Sequence, residues 1–258
     1  MNNYKILCFA NQKGGVGKTT SAVNIAACLG RAGKKVLLVD SDPQGNATSG
    51  LGVRKKELTG TIYDVLIEEK QIRDLIVPTS ASGVFLLPSG IDLVGAELEL
   101  ADQPRRETRL RKALDSVRDD YDYIIIDCPP ALGLLTVNTL VASDGVVIPL
   151  LCEYYSLEGL SQLTATIRQI RKRSNPDLEL VGVLVNLFDG RLNLTVSVLE
   201  EIKKYFPGKI FRTPIPRSVR ISEAPSYGMT VIDYDKNGKG AAAYAAVTKE
   251  LMDRCERS

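Results

Sequence analysis

Two lysines, Lys13 and Lys18, stand in the glycine-rich run Asn11-Gln12-Lys13-Gly14-Gly15-Val16-Gly17-Lys18-Thr19-Thr20. Such a run lets several backbone N–H groups converge on one point, and a helix starting there adds the positive end of its dipole, which suits a polyphosphate. In a cradle of this kind the ammonium of Lys18 reaches the β- and γ-phosphates and the Thr19 hydroxyl sits on Mg2+. Gly14, Gly15, Val16, Gly17 and Thr20 supply the rest of the loop. The signature also calls for a glycine five residues before Gly17, where this chain has Gln12. Lys13 is then surplus to holding one nucleotide and can be aimed outside its own site. A glycine turn with no ligand is the plainer account, but strand, glycines, lysine, threonine and helix all coincide here.

Carboxylates fall in two places. Asp127 closes the aliphatic run Tyr123-Ile124-Ile125-Ile126 and precedes Cys128-Pro129-Pro130, as a Walker B aspartate does when it holds Mg2+ through water. Asp40 and Asp42 follow Val36-Leu37-Leu38-Val39, and the turn Asp42-Pro43-Gln44-Gly45-Asn46 keeps them at the ligand-binding edge of a sheet. One can serve the metal shell while the other orients or deprotonates an attacking water; both can instead be turn formers. The chain has no histidine, which excludes Ser-His-Asp hydrolysis, histidine acid–base catalysis and most zinc enzymes. Carboxylates and lysines are left to do the chemistry.

Basic residues form a third group. Arg217 and Arg220 lie between prolines in 214–225, and Arg191, Lys203 and Lys204 precede them on a loop and a helix. They suit phosphate contacts on DNA without base reading, with surface salt bridges as the alternative. The net charge is only +2, so any DNA affinity has to come from a local patch.

The elements that must position these groups follow from the hydrophobic pattern. Ile6 to Ala10, 34–40, Val84 to Leu87, Tyr123 to Asp127, Gly145 to Leu150 and Leu180 to Val185 read as strands, most of them apolar throughout. Helical patterns run over Ser21 to Ala32, Arg106 to Arg118, Ser156 to Ser174 and Gly240 to Arg254. Strands buried on both faces and alternating with helices predict an α/β fold with three layers, a mostly parallel central sheet flanked by helices. Residues 1–258 are expected to form a single domain, the 42–121 region being elaboration on it. The basic end of the third helix, Arg168 to Arg173, complements its dipole. Five scattered cysteines, Cys8, Cys28, Cys128, Cys152 and Cys255, fit reduced core thiols. No apolar run approaches the ~18 residues of a membrane span and no signal-peptide pattern is present, so a cytoplasmic protein is expected.

Five stretches taken together carry a resemblance: 13–20, Val36 to Gly52, Tyr121 to Leu140, Cys152 to Leu163 and Ile215 to Gly228. From about Lys5 to Met252 the chain resembles the ParA/Soj chromosome-partitioning ATPases of the deviant Walker A (MinD/ParA) superfamily, with their P-loop NTPase fold. The resemblance implies that Lys13 crosses a homodimer interface to the partner's ATP, with Gly14 permitting close approach, while Lys18 and Thr19 bind phosphate and Mg2+ in their own subunit. It assigns Asp42 to activating the water, Asp40 and Asp127 to the magnesium shell, and adenine contacts to Asn186 and Pro216. Arg191 and Arg220 match positions that bind double-stranded DNA nonspecifically in similar proteins, which implies nucleoid association. A ParB-type centromere-binding partner is implied as the trigger of hydrolysis, and no membrane partner is expected. The long N-terminal DNA-recognition extension of some plasmid-encoded relatives is missing, so operator-specific repression is not expected. Two other classes share features. A membrane-cycling, MinD-like ATPase would need an amphipathic C-terminal helix with bulky apolar residues facing lipid, where 241–258 is mostly alanine and mixed charge. An iron–sulfur electron-transfer ATPase could use Cys128 at a dimer interface. GTP is disfavoured by the lack of an Asn-Lys-x-Asp sequence.

Overall fold

Aliphatic runs without a polar break become strands here because both of their faces are covered. The computed structural model describes residues 5–153 and 156–256, without the side chains of 156–158, 193 and 194. Residues 154 and 155 of the 152–163 stretch lie outside the described residues, as do 1–4 and 257–258. The strands are β1 (Ile6–Phe9), β2 (Val36–Asp40), β3 (Val77–Pro78), β4 (Val84–Leu87), β5 (Tyr123–Asp127), β6 (Gly145–Leu151) and β7 (Glu179–Asn186). They form one sheet in the order β3-β4-β2-β5-β1-β6-β7. All pairings are parallel except β3 with β4.

Eleven α-helices lie among the described residues: α1 (Lys18–Arg31), α2 (Asn46–Gly50), α3 (Ile62–Leu66), α4 (Ala96–Ala101), α5 (Arg109–Asp115), α6 (Leu134–Ala142), α7 (Ser156–Arg173), α8 (Asn193–Tyr205), α9 (Val219–Glu223), α10 (Val231–Tyr234) and α11 (Lys239–Glu256). The pleat of β1 shows how they divide. Ile6 and Cys8 face a core shared with α3 to α8, whereas Leu7 and Phe9 face one shared with α1, α2 and α9 to α11. Three layers result. Helix α11 buries Tyr244, Val247 and Leu251 almost completely against α1, each worth about 1.5–3 kcal/mol.

The topology makes a crevice. Adjacent strands β1 and β5 lead to α1 and α6, which lie on opposite faces. The loops leaving their carboxyl ends therefore diverge, and ligands of open α/β sheets bind at such a point.

Two helices differ from the sequence reading. Helix α1 begins at Lys18 instead of Ser21, because Gly17 takes a left-handed φ of 85° and turns the chain directly into the helix. Helix α5 covers only Arg109–Asp115. Arg105 is left-handed at φ 55°, and Ser116 donates its hydroxyl back to the Ala113 carbonyl at 2.7 Å, so the 106–118 pattern is interrupted at both ends. Gly33 caps α1 at φ 83°, with Lys34 N donating to Leu29 O at 3.1 Å.

Candidate functional site

The loop 11–17 is held from below by two buried asparagines. Asn11 donates to the Pro149 carbonyl at 2.7 Å and accepts from Lys13 N at 3.0 Å. Asn186, at the end of β7, donates from Nδ2 to Val16 O (2.8 Å) and Ser21 Oγ (3.0 Å), with Gly17 O at 3.4 Å. Helix α1 then starts with no side-chain cap and no acidic residue in its first turn. Its first intrahelical bond is Ser21 N to Gly17 O at 2.9 Å, leaving the amides of Lys18, Thr19 and Thr20 to an anion. Gly14 and Gly15 are exposed, and a Cβ at either would meet nothing within 4 Å. Val16 is buried, so it can offer a nucleotide only its backbone.

Lys18 is 6 % exposed, and Nζ donates to the Lys13 carbonyl at 3.1 Å. Burial lowers its pKa, opposed by the Asp127 and Asp42 charges and the Cys128 thiol. These groups are thus gathered around one ammonium. Lys13 takes another direction: its ammonium pairs with Glu153, just past β6. Both ends of that pair are partly exposed, which makes it weak and exchangeable.

Asp40 and Asp127 are direct partners in the β2–β5 register, and both are fully buried. Asp40 accepts from Thr48 N (2.8 Å), Thr48 Oγ1 (2.7 Å) and Asp42 N (3.2 Å). Burial pushes its pKa up to about 6 despite these bonds. Both oxygens of Asp127 lack a hydrogen-bond partner. Burial, and then the Asp40 charge, raise its pKa well above the carboxylate range; the nearby Thr19 hydroxyl opposes this without completing a hydrogen bond. An orphaned carboxylate beside a helix-start threonine fits a divalent cation. Among the described residues no three His, Cys, Asp or Glu cluster in a metal-binding group. Thr19 and the phosphates of a nucleotide would therefore have to supply the remaining ligands. Asp42 is 7 % exposed and accepts from Gln44 N at 2.9 Å, inside a turn closed by Gly45 N to Asp42 O at 2.8 Å.

Asn186 and Pro216 come together at the β7 edge, where Ile215 N donates to Val185 O (2.8 Å) and Phe188 N to Ile215 O (2.9 Å). Only Pro216 is open to solvent. The Asn186 side chain is 3 % exposed; its amide nitrogen is committed to the loop, whereas its amide oxygen has no hydrogen-bond partner and is left to accept from a base without breaking the loop bonds.

The basic residues are exposed but mostly paired. Arg191 forms a two-point contact with Asp189 (2.8 and 2.6 Å), and Arg217 adds its charge there; the Asp189 pKa falls to about 2, chiefly through the Arg191 bond. Arg220 reaches Glu223 at 3.2 Å and lies over the Tyr234 ring. Lys203 and Lys204 bond Glu200 and Glu201 on their own helix. Asp189 thus holds Arg191 and feels the charge of Arg217, while Arg220, Lys203 and Lys204 each hold separate local partners.

A doubly covered parallel sheet, a cap-free helix behind a glycine loop, and two buried aspartates at adjacent strand ends define a P-loop nucleotide-binding protein. The AAA_31 family, an AAA domain, matches residues 4–180. The sporulation initiation inhibitor protein Soj of Bacillus subtilis is 54% identical, over 96% of this chain and 98% of that protein. The chromosome partitioning protein ParA of Myxococcus xanthus is 52% identical, over 97% and 88%. A cobyrinic acid a,c-diamide synthase of Mycobacterium smegmatis, solved with an ATP analog and magnesium, superposes with a TM-score of 0.84 at 38% identity, covering 94% of this chain and 91% of that one. The chain belongs to the ParA/Soj family of chromosome-partitioning ATPases.

Proposed function

We propose that this protein is a Mg2+-dependent ATPase that acts as a dimerising switch in chromosome or plasmid partitioning. The orphaned, buried carboxylate of Asp127, set opposite Asp40 and behind the first turn of α1, is the observation that carries this reading. Lys18 and the amides of 18–20 bind the phosphates; Thr19, Asp40 and Asp127 would hold Mg2+. Bound Mg2+ would supply charge stabilisation at the phosphates. Asp42, aimed by the 42–45 turn, orients and deprotonates the attacking water. Lys13 leaves Glu153 to reach the nucleotide of a second subunit, approaching past the bare Gly14. Pairing two subunits sets two copies of the Arg191, Arg217 and Arg220 surface on DNA, a bivalent grip that one copy lacks. A ParB-type partner stimulates hydrolysis and opens the dimer.

The other classes lack support in the geometry. The apolar face of α11 is spent on α1, and no described helix is long and apolar enough to cross a membrane. Cys128 points into the core, its sulfur 3.1 Å from Thr139 Oγ1, where a second subunit cannot share a cluster with it.

The test is ATP hydrolysis with DNA and the ParB-type partner added separately and together, beside light scattering with ATP. Synergy of the two additions and an ATP-dependent dimer are expected. Asp42→Ala should abolish turnover with binding retained, and Lys13→Ala should bind ATP without dimerising. Hydrolysis indifferent to both additions, or dimerisation by Lys13→Ala, would count against the switch.

A further inference from the structure

We infer that Thr48 is a positioning residue for Asp40: its amide and its hydroxyl saturate one oxygen of that carboxylate and leave the other for the cation. The inference rests on the Mg2+-nucleotide reading and deepens it by naming the residue that decides which way Asp40 faces.

Thr48 spends two donors on a single acceptor. Its amide N donates to Asp40 Oδ2 at 2.8 Å, and its Oγ1 donates to the same oxygen at 2.7 Å. A third bond fixes the direction of the second, because Ser89 N donates to Thr48 Oγ1 at 3.0 Å. A hydroxyl carries one proton. With an N–H already arriving at its oxygen, that proton goes to Asp40. Asp40, Thr48 and Ser89 are all fully buried, so bulk water does not compete for these bonds.

The two oxygens of Asp40 end up unequal. Oδ2 holds two short bonds, whereas Oδ1 has a single longer one, from Asp42 N at 3.2 Å. Oδ1 therefore keeps the capacity to take a cation, and turning Oδ2 to the site instead would break two buried hydrogen bonds. Asp127, its register partner, has no hydrogen-bond partner on either oxygen. One carboxylate of the pair is locked in advance, and the other is left to adjust to the ligand.

The lock ties three elements together. Helix α2 has Gly45 at its N-cap and no side-chain cap there. Thr48 N is the third amide of that helix, so Asp40 supplies the missing cap from the end of β2. Ser89 follows β4, the strand beside β2. The Thr48 hydroxyl thus joins β2, α2 and the chain after β4 at one point. Serine can make the same bonds; valine has the shape of threonine and cannot.

Thr48→Val and Thr48→Ser separate the hydroxyl from the packing. Binding of N-methylanthraniloyl-ADP to the full chain is followed by fluorescence, once across a Mg2+ titration and once in EDTA. Thr48→Val should raise the Mg2+ concentration for the half-maximal effect about tenfold or more, as removal of a metal ligand's partner does, with the affinity in EDTA unchanged. Thr48→Ser should restore the wild-type Mg2+ midpoint. Thr48→Ala, which also lacks the hydroxyl, replaces Thr48→Val if circular dichroism shows that the latter does not fold. A wild-type Mg2+ midpoint in either variant without the hydroxyl would overturn the inference. So would a Thr48→Ser protein as impaired as they are, or an equal loss of affinity with and without Mg2+, since packing around the nucleotide would then be what changed. A wild type whose nucleotide binding ignores Mg2+ would strike the metal reading itself and the inference with it, whereas the variants bear on Thr48 alone.

Discussion

Gly17 has room for a hydrogen and little else: a Cβ built there would lie 2.6 Å from Asn186 Nδ2, and its φ of 85° is in the left-handed region. Gly17→Ala is therefore expected to cost about 1–2 kcal/mol from the backbone alone, plus the displacement of Asn186. Asn186→Ala unties the loop and leaves Val16 O and Ser21 Oγ short of a donor, a loss of about 1–3 kcal/mol. The double variant should lose less than the sum, because the clash disappears while the φ strain stays. Urea unfolding of the four proteins without nucleotide measures this, and strict additivity would show that the two residues do not press on each other. The glycine and lysine positions were legible in sequence because a phosphate loop is local. Asn11, Glu153 and Asn186 as partners were not: their bonds to Pro149, Lys13 and Val16 span 138, 140 and 170 residues, and no local pattern records such distances. Thr48 was nearer to hand, eight residues past Asp40, but only the fold of α2 shows that it turns back.

Elements show the same division. The bounds of β4 and β5 match the sequence reading because apolar runs end abruptly at charged or turn residues, whereas α1 and α5 shifted where a left-handed residue decided the boundary. Charge was less legible still. Counting arginines predicts a basic patch, yet Asp189 at the end of the β7 loop holds Arg191 in a two-point grip and feels Arg217. In the proposed DNA grip, phosphates have to displace that carboxylate. Asp189→Ala should tighten nonspecific DNA binding a few-fold at low salt and steepen the slope of log affinity against log salt by about 1 unit, as one more phosphate contact forms. Filter binding across a salt series checks it, and an unchanged slope would remove Arg191 from the DNA surface.

At the scale of the molecule the five cysteines are all buried and free. Burial raises the thiols of Cys28 and Cys152 to about 11 and Cys255 to about 12. The unfolded chain ionises its thiols near pH 8.5, so the folded state keeps these protons longer. Their contribution to stability is full below about pH 8.5 and is lost as pH rises toward 11–12. Urea midpoints should therefore fall steadily from pH 8 to 10, and a thiol reagent should label the folded protein slowly at pH 8; rapid labelling would show that the cores open readily. The sequence suggested buried thiols from their apolar neighbours, but which helix covers which thiol depends on the three layers closing. One further consequence follows from the tie between β7 and the phosphate loop. Asn186 grips Val16, and five residues later the same strand end carries Arg191, across the left-handed turn at Leu187. A ligand that stiffens or shifts the loop acts on that arginine through a lever a few residues long. Coupling of this kind runs equally in both directions: under the proposed switch, whatever factor ATP adds to the grip on DNA, DNA adds to the retention of ATP, so the chromosome itself would act as a nucleotide-retention factor.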